Sequence, residues 1–558
     1  MTNLDANPNV VVIGGGPAGS AAATMLARQG WQVTLLERHR FPREHVGESL
    51  LPASMPILEE LGVMPAVQEA GFLPKWGATM VWGRDPEPWN WYFKETSPQY
   101  PHSYQVWRPQ FDHLLLENAR VHGATVKEGH QVGEVIFENG RASGVRFVAD
   151  DNRRGEIAAR FVVDATGQSA LLARHTQVQR WDSFFQNLAI YAYFTGVTPL
   201  PSPDENNIFI ESYRHGWFWS IPLHTGWTSV GAVVDNQTGQ EGIRRLGARA
   251  FLAAQLAQTS QTRMRLKNAE WATGPKVVRD WSYAADQLVG PGYIIAGDAA
   301  CFVDPLFSSG VHLALMSGVM AAAYTTTALK QEAGKQDAGT DGNMLKSAGQ
   351  VYQELYYKEY RQFRELARLF YSSNLTAESY FWEARRITDP ADLDEYSPRH
   401  SFIQAVAGQP PRGYERAVLD RGEAPSEFIS NVRAVESDRA ARGLRVEAFR
   451  SDTQRNQVLT AVPQLADGVM VARRPVLGEG EFIWGHALNS VSQPEGTPCS
   501  QLVASTVSLI DGQTPVSAIV ERLAQGLDSQ ARGRLESAIT RTIEILYIDG
   551  TIADLHSQ

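Results

Sequence analysis

VVIGGGPAGSAAATMLARQGWQVTLLE, residues 11–37, is the stretch that orders the rest of the chain. An apolar run from Val10 to Ile13 leads into Gly14, Gly16 and Gly19. A small-residue helical pattern follows, and a second apolar strand from Gln32 to Leu36 ends on Glu37. Gly14 permits a tight turn, Gly16 lets a pyrophosphate approach the backbone, and Gly19 lets the helix lie close to the sheet. The phosphates would meet the free N–H groups of the helix N-terminus, and Glu37 stands where a ribose hydroxyl needs an acceptor. A lone GxGxxG says little. One framed by its strand, helix and terminal acid indicates a dinucleotide site.

Working outward, 558 residues exceed one ordinary domain, and 43% hydrophobic content is that of a globular protein. A net charge of −10 argues against general nucleic-acid binding, which needs a basic face. Two cysteines, Cys301 and Cys499, make neither a disulfide framework nor a cysteine-rich metal site, so no metal is expected. The first residues, MTNLDANPNV, lack a signal-peptide core, which points to the cytoplasm. Gly310–Leu329 is apolar, but His312, two glycines and a Thr cluster make it a buried core helix rather than a membrane span.

Phe41–Pro52 reads as a loop entering a helix over Ser54–Leu61, and Phe111–His122 as a helix. Trp82–Trp107 and Phe185–Val234 read as strands of a second, antiparallel sheet. Ala159–Ala165, ending on Gly167, and Tyr293–Asp298 add parallel strands to the first sheet; Gly167 leaves room for a cofactor to pass the backbone. Gln331–Gly342 is the expected linker, Val351–Tyr380 is helical, and Gln501–Leu555 reads helix–turn–helix–strand. The divisions are 1–330, a dinucleotide domain with an interleaved substrate-side sheet; 331–450, linker and helices; and 451–558, a winged-helix-like domain. That last unit has no basic recognition face, so packing or protein contact is its expected role.

At Gly297-Asp298 an acid ends a strand just before a helix, where it can hold a ribityl hydroxyl while the helix N-terminus faces the negative end of a reduced flavin. GGGPAG, Arg108 with its helix, Asp164-Ala165-Thr166-Gly167 and Gly297-Asp298 stand in the order found in FAD-dependent monooxygenase-like proteins, and the resemblance covers most of residues 8–330. It implies an α/β, Rossmann-like FAD-binding fold with an inserted substrate sheet. There is no second GxGxxG, so the flavin is expected to be reduced elsewhere, by a flavin reductase, or by a nicotinamide that binds without its own Rossmann unit.

Trp217-Phe218-Trp219-Ser220-Ile221-Pro222 narrows the reading. Indoles at i and i+2 on a strand share one face, as a wall or as simple filling of the sheet. WxWxIP resembles the signature of flavin-dependent halogenases, which implies that the wall parts flavin from substrate and that hypohalous acid crosses between them. Lys75, in FLPKWGAT, would by itself be a surface lysine with a buried stem; the resemblance makes it the lysine that meets hypochlorous acid. A chloramine needs the neutral amine, a free lysine titrates near 10.4, and burial among Trp76, Trp82 and the indoles would lower that value. Glu48 either orients this amine and manages protons or pairs with Arg43 or Arg40. Asp304-Pro305-Leu306-Phe307-Ser308-Ser309-Gly310 is a candidate anion nest; the resemblance puts the flavin ring beside Pro305 and Gly310 and chloride or bromide near Ser308, Ser309 and Gly310.

Val278–Tyr283, Phe302–His312 and Phe381–Thr388 extend the similarity to the halogenase of the chloramphenicol pathway and its relatives acting on carrier-bound acyl groups. The resemblance implies a covalent tie between Asp280, otherwise a solvated loop acid, and the flavin 8α-methyl. It also places Tyr371, otherwise an aromatic on a buried helix face, near the substrate. The C-terminal domain is expected at the pocket mouth, narrowing it to a channel for a pantetheine-borne chain, so an acyl or peptidyl carrier protein is the expected partner, in secondary metabolism. An FAD hydroxylase and a non-catalytic flavoprotein or carrier-protein partner are the rival readings.

Overall fold

A computed structural model describes residues 9–83, 87–334, 344–375, 398–408, 437–449, 457–491 and 493–556. Phe381–Thr388 and most of the expected linker lie outside them. Gln331 and Glu332, counted above as linker, close the helix Gly310–Glu332 instead.

The apolar runs at Val10–Ile13, Val33–Glu37, Phe161–Asp164 and Tyr293–Ile295 pair in parallel, Val11 opposite both Thr34 and Val162, in a six-stranded sheet. Nearly every side chain of these strands is buried, as in parallel sheets covered on both faces. Helices Pro17–Arg28 and Gly310–Glu332 pack on one another against it. Residues Ala21, Ala22 and Ala23 of the first and Ala321, Ala322 and Ala323 of the second are all buried, small enough for close approach. Among the described residues no helix is long and apolar enough to cross a membrane, and no group of side chains could hold a metal ion.

The second sheet has nine strands: eight run in order from Cys301–Phe302 through Lys276–Ala285, Gln179–Thr195, Thr228–Asp235, Gly216–Pro222, Ile208–Tyr213 and Gly77–Val81 to Trp89–Tyr92, and Glu270–Trp271 pairs with Gln179–Thr195 beside them. It departs from the expected antiparallel pattern at one place: Ile208–Tyr213 runs parallel to Gly77–Val81. These strands come from separate excursions of the chain, so no hairpin forces them antiparallel. Lys75 stands on a short strand, Leu73–Lys75, paired with Ser103–Gln105. The loop after residue 41 enters a 3-10 turn, Pro52–Ser54, and then the helix Met55–Glu60.

In the C-terminal unit the helices Gln501–Ser508, Val516–Leu523 and Ser529–Ile548 enclose a separate core with Ile519, Ile539 and Ile543 fully buried. The strand Ile552–His556 pairs with Val462–Leu465, and a three-stranded sheet, Met470–Cys499, precedes the helices. This unit packs on the larger one at the ends of the two long helices and on the helix Met344–Leu375. The turn after Leu477 docks at the far ends of the two long helices: Gln29 donates to Gly480 O (2.7 Å), Phe482 N to Thr327 Oγ1 (2.9 Å), and Lys330 pairs with Glu481 (2.9 Å). Phe482 is fully buried within the core of the larger unit. Both helices start at the cofactor cavity and end at this contact, and Arg474 also pairs with Glu354 on the helix Met344–Leu375 (2.5 Å).

Candidate functional site

A cavity of about 860 Å³ opens between the two sheets. On one side it is lined by Gly14, Gly16, Pro17, Glu37, Arg108, Gly167, Asp298, Pro305, Ser308 and Gly310, on the other by Ala189, Tyr191, Trp217, Trp219 and Ile221. Most of the cofactor residues expected from sequence therefore meet in one space.

The glycine turn is built as its spacing demanded. Gly14 has φ +102°, where a Cβ would sit 2.3 Å from Ala165 O, and a Cβ on Gly19 would sit 1.9 Å from Gly14 O. Gly16 caps the helix Pro17–Arg28, whose first amides have no partner within the helix. Glu37 accepts from Gly15 N (2.7 Å) and His39 N (2.8 Å), and each oxygen keeps a lone pair for a ribose hydroxyl. Arg108 is clamped by Asp112 through two bonds, 2.7 and 2.9 Å, and donates to Val46 O at 2.7 Å. Gly167 (φ +63°) has open space over its Cα. Gly297 lies just behind the lining; its amide donates to Ser317 Oγ (2.8 Å) and a Cβ would sit 2.7 Å from Ala18 Cβ. Burial pushes the neighbouring Asp298 carboxyl up to about 6, against the opposing pull of Arg108.

Trp217 and Trp219 stand side by side on Gly216–Pro222, ring centroids 6.0 Å apart and both buried. The Trp217 indole donates to Tyr371 OH (2.6 Å) and that of Trp219 to Ser229 Oγ (3.2 Å). Lys75 is 2% exposed. Its ammonium donates to Leu50 O (2.9 Å) and lies over the Phe93 ring, 5.4 Å from the centroid. Burial pushes it down to about 7, for the reason anticipated but with a different neighbour: Trp76 turns outward, 38% exposed, and stacks on His102. Glu48 is fully buried and accepts from Tyr193 OH (2.9 Å) and Gly47 N (3.2 Å); burial raises its carboxyl above the usual range. The alternative ion pairs are absent, because Arg43 pairs with Asp112 (3.2 Å) and Arg40 with Asp150 (2.8 Å). Glu48 does not bond the Lys75 amine, which Leu50 O holds.

Ser308 is left-handed (φ +59°) and Ser309 right-handed (φ −81°), an alternation that turns successive N–H groups to one side. Ser308 and Gly310 line the cavity; Ser309 is buried behind it. Asp280 lies on Lys276–Ala285 opposite Asn187, its side chain outside the described residues. Sequence reasoning missed Asp112, Tyr193, Asn187 and a role for Asp304. Only Asp112 carried a local signal, an acid four residues after Arg108.

A tryptophan halogenase family model matches residues 9–101 and 93–407. The chain belongs to this family. The halogenase is 32% identical over 475 residues to a tryptophan 2-halogenase of Chondromyces crocatus, covering 83% of this chain and 84% of that protein. It is 31% identical to a 1H-pyrrole-2-carbonyl-[peptidyl-carrier protein] chlorinase of Pseudomonas fluorescens, over 78% of this chain and 95% of that one. The solved structure of CmlS, a flavin-dependent halogenase, superposes with a TM-score of 0.71 at 28% identity, over 98% of this chain and 96% of that one. The halogenase is thus an FAD-dependent oxidoreductase using halide. The residues fit FAD: Gly16 and Gly167 line the cavity without a side chain, the first amides of the helix Pro17–Arg28 and Arg108 border it, and Glu37 keeps acceptor capacity.

Proposed function

We propose that this halogenase passes hypohalous acid to Lys75 and halogenates a small aromatic or acyl group presented on a carrier protein. FAD, reduced by a separate reductase, supplies when bound the two-electron oxidation of halide by O2. The chain's own residues do the rest. Arg108, the amides after Gly16 and Glu37 bind and orient the cofactor; Ser308, Ser309 and the amides opening at Gly310 hold the halide. Trp217 and Trp219 exclude the substrate from the cofactor side, so only a small species reaches the amine. Asp280, in this reading, ties the flavin covalently.

The observation that carries the proposal is the buried Lys75 amine, held near 7. About half of it is neutral at pH 7, against roughly one part in 2,500 for an ordinary lysine. The neutral amine hydrogen-bonds hypohalous acid or takes its halogen, releasing water. Glu48, protonated more readily than an ordinary glutamate and bonded to Tyr193, stands as the proton-handling group, and Tyr371 borders the wall on the substrate side. Carrier presentation is supported by the pyrrolyl-carrier chlorinase among the relatives.

The test is intact mass spectrometry of acylated carrier proteins incubated with enzyme, FAD, reductase, NADH and halide. The expected result is a halide-dependent gain of one or more halogens minus hydrogen, lost in Lys75→Ala while flavin oxidation continues. A gain of oxygen independent of halide would support a hydroxylase instead. Equal turnover of free and carrier-borne substrate defeats the carrier requirement.

A further inference from the structure

A buried hydrogen-bond network joins the halide loop to the indole wall, and the residue at its centre is Asp304, which is 2% exposed. Its Oδ1 accepts from Leu306 N at 3.0 Å, fixing the turn that leads into Ser308–Gly310. Its Oδ2 accepts from Tyr371 OH at 2.6 Å and from Asn187 Nδ2 at 3.2 Å. The Tyr371 oxygen in turn accepts from Trp217 Nε1 at 2.6 Å and from Asn187 Nδ2 at 3.2 Å.

The direction of this chain is fixed. An indole N–H is a donor only, so Tyr371 must present a lone pair to Trp217 and spend its proton on an acceptor. A carboxylate is the strongest acceptor available, and the 2.6 Å Tyr371–Asp304 distance is that of a charge-assisted O–H···O bond. Burial pushes the Asp304 carboxyl up to about 6, so these donors are what keep it ionised at neutral pH. Four segments far apart in sequence converge here: strands Gln179–Thr195 and Gly216–Pro222, the loop before Pro305, and the helix Met344–Leu375.

We propose that Asp304, seconded by Asn187, is a positioning residue that holds the Trp217 indole and the halide loop in one fixed relation, so that oxidised halide leaves toward Lys75 rather than into solvent. The inference rests on the function proposed above and adds to it a residue that sets the coupling between flavin oxidation and halogenation. Asp304→Asn probes it directly. An amide can accept on one side only; its NH2 must face either the Leu306 N–H or the two donors on Oδ2, donor against donor. Asn187→Ala removes donors to Oδ2 and to Tyr371 but leaves the Oδ1 cap on Leu306 intact.

The experiment uses the full-length, FAD-loaded enzyme with a reductase over a range of halide concentrations. It measures flavin oxidised, halogenated product, and hypohalous acid trapped by a small thioether scavenger. Asp304→Asn is expected to lower product per flavin oxidised about tenfold, the scale of one lost buried hydrogen bond to a charged group, to raise trapped oxidant correspondingly, and to raise the halide KM severalfold. Asn187→Ala is expected to lower coupling by a smaller factor and to leave the halide KM within about twofold. A merely structural role would reduce flavin binding and all rates together without diverting oxidant to the scavenger. Asp304→Asn that binds FAD and couples within twofold of wild type overturns the proposal. If Asp304→Asn fails to fold, Asn187→Ala with unchanged coupling and unchanged trapping overturns it. A wild type without halide-dependent product removes the underlying function as well, which separates the two failures.

Discussion

Replacing Lys75 by Met should make the protein more stable and abolish halogenation. The ammonium is held at about 7 instead of the usual 10.5, with burial as the cause. Below pH 7 both folded and unfolded chains carry the proton, and the full penalty of burying the charge is present. Between pH 7 and 10.5 the unfolded chain binds a proton that the folded chain does not, so wild-type stability rises with pH relative to a neutral replacement. At pH 7 the penalty is roughly 4 kcal/mol, and at pH 9 about 2 kcal/mol. Against it stand the lost hydrogen bond to Leu50 O, about 1 kcal/mol, and the contact with the Phe93 ring, about 1 kcal/mol. Leu50 O is not orphaned, because Ser103 Oγ also donates to it at 2.8 Å. Met fills a similar volume without a charge. The net expectation is a gain of roughly 2 kcal/mol at pH 7 that falls to near zero by pH 9. Thermal midpoints of wild type and Lys75→Met, followed by tryptophan fluorescence at both pH values, measure the difference; titrations common to both proteins cancel. Product mass spectrometry on the same samples should find no halogenation. A variant less stable than wild type at pH 7, or a difference that does not narrow with pH, refutes the desolvated amine on which the relay depends.

Denatured wild type should retain its yellow flavin through filtration if Asp280 is the covalent attachment, and Asp280→Ala should release it; free FAD from denatured wild type rejects the link. Phe482→Ala should destabilise the catalytic unit by about 3–5 kcal/mol, the cost of emptying a buried aromatic site, because Phe482 is fully buried in that unit's core. The same variant should leave the preference for carrier-borne over free substrate unchanged, and a changed preference would show that the C-terminal domain reaches the pocket after all.

The glycine turn was legible in sequence because each of its contacts is made within the motif or at a strand end beside it. Gly19 closes on Gly14, and Gly14 on Ala165. The shared face of Trp217 and Trp219 was legible because a strand's period of two leaves no other placement for them. What could not be read are pairings set by tertiary structure alone. Glu48 finds Tyr193, 145 positions away, and Asp304 finds Asn187 and Tyr371 at separations of 117 and 67. No spacing rule connects such residues, so Glu48 was left between an amine and an arginine and bonded neither. The contacts of the C-terminal unit were not legible for a related reason. Its apolar faces showed that something must be covered, but one phenylalanine in Phe482-Ile483-Trp484 did not announce that it would plug the far end of the helix pair.

The chain runs directly from the cofactor cavity to the lysine. Glu48 and Ser49 line the cofactor cavity, and the next residue, Leu50, holds the Lys75 amine through its carbonyl. This segment is extended: Ser49 bridges Gln105, Leu50 N donates to Tyr104 O, and Val106 N donates to Glu48 O. Ser49 and Leu50 are consecutive in this extended segment, about 3.4 Å apart along it, and the Lys75 amine donates to Leu50 O at 2.9 Å. Trp217 and Trp219, both buried, line the same cavity. Hypohalous acid is small and neutral at pH 7, and an amine near 7 is matched to receive it. In the function proposed above, the indole wall and the lowered basicity of Lys75 belong to one arrangement, in which a reactive oxidant is kept from the substrate until a fixed amine presents it.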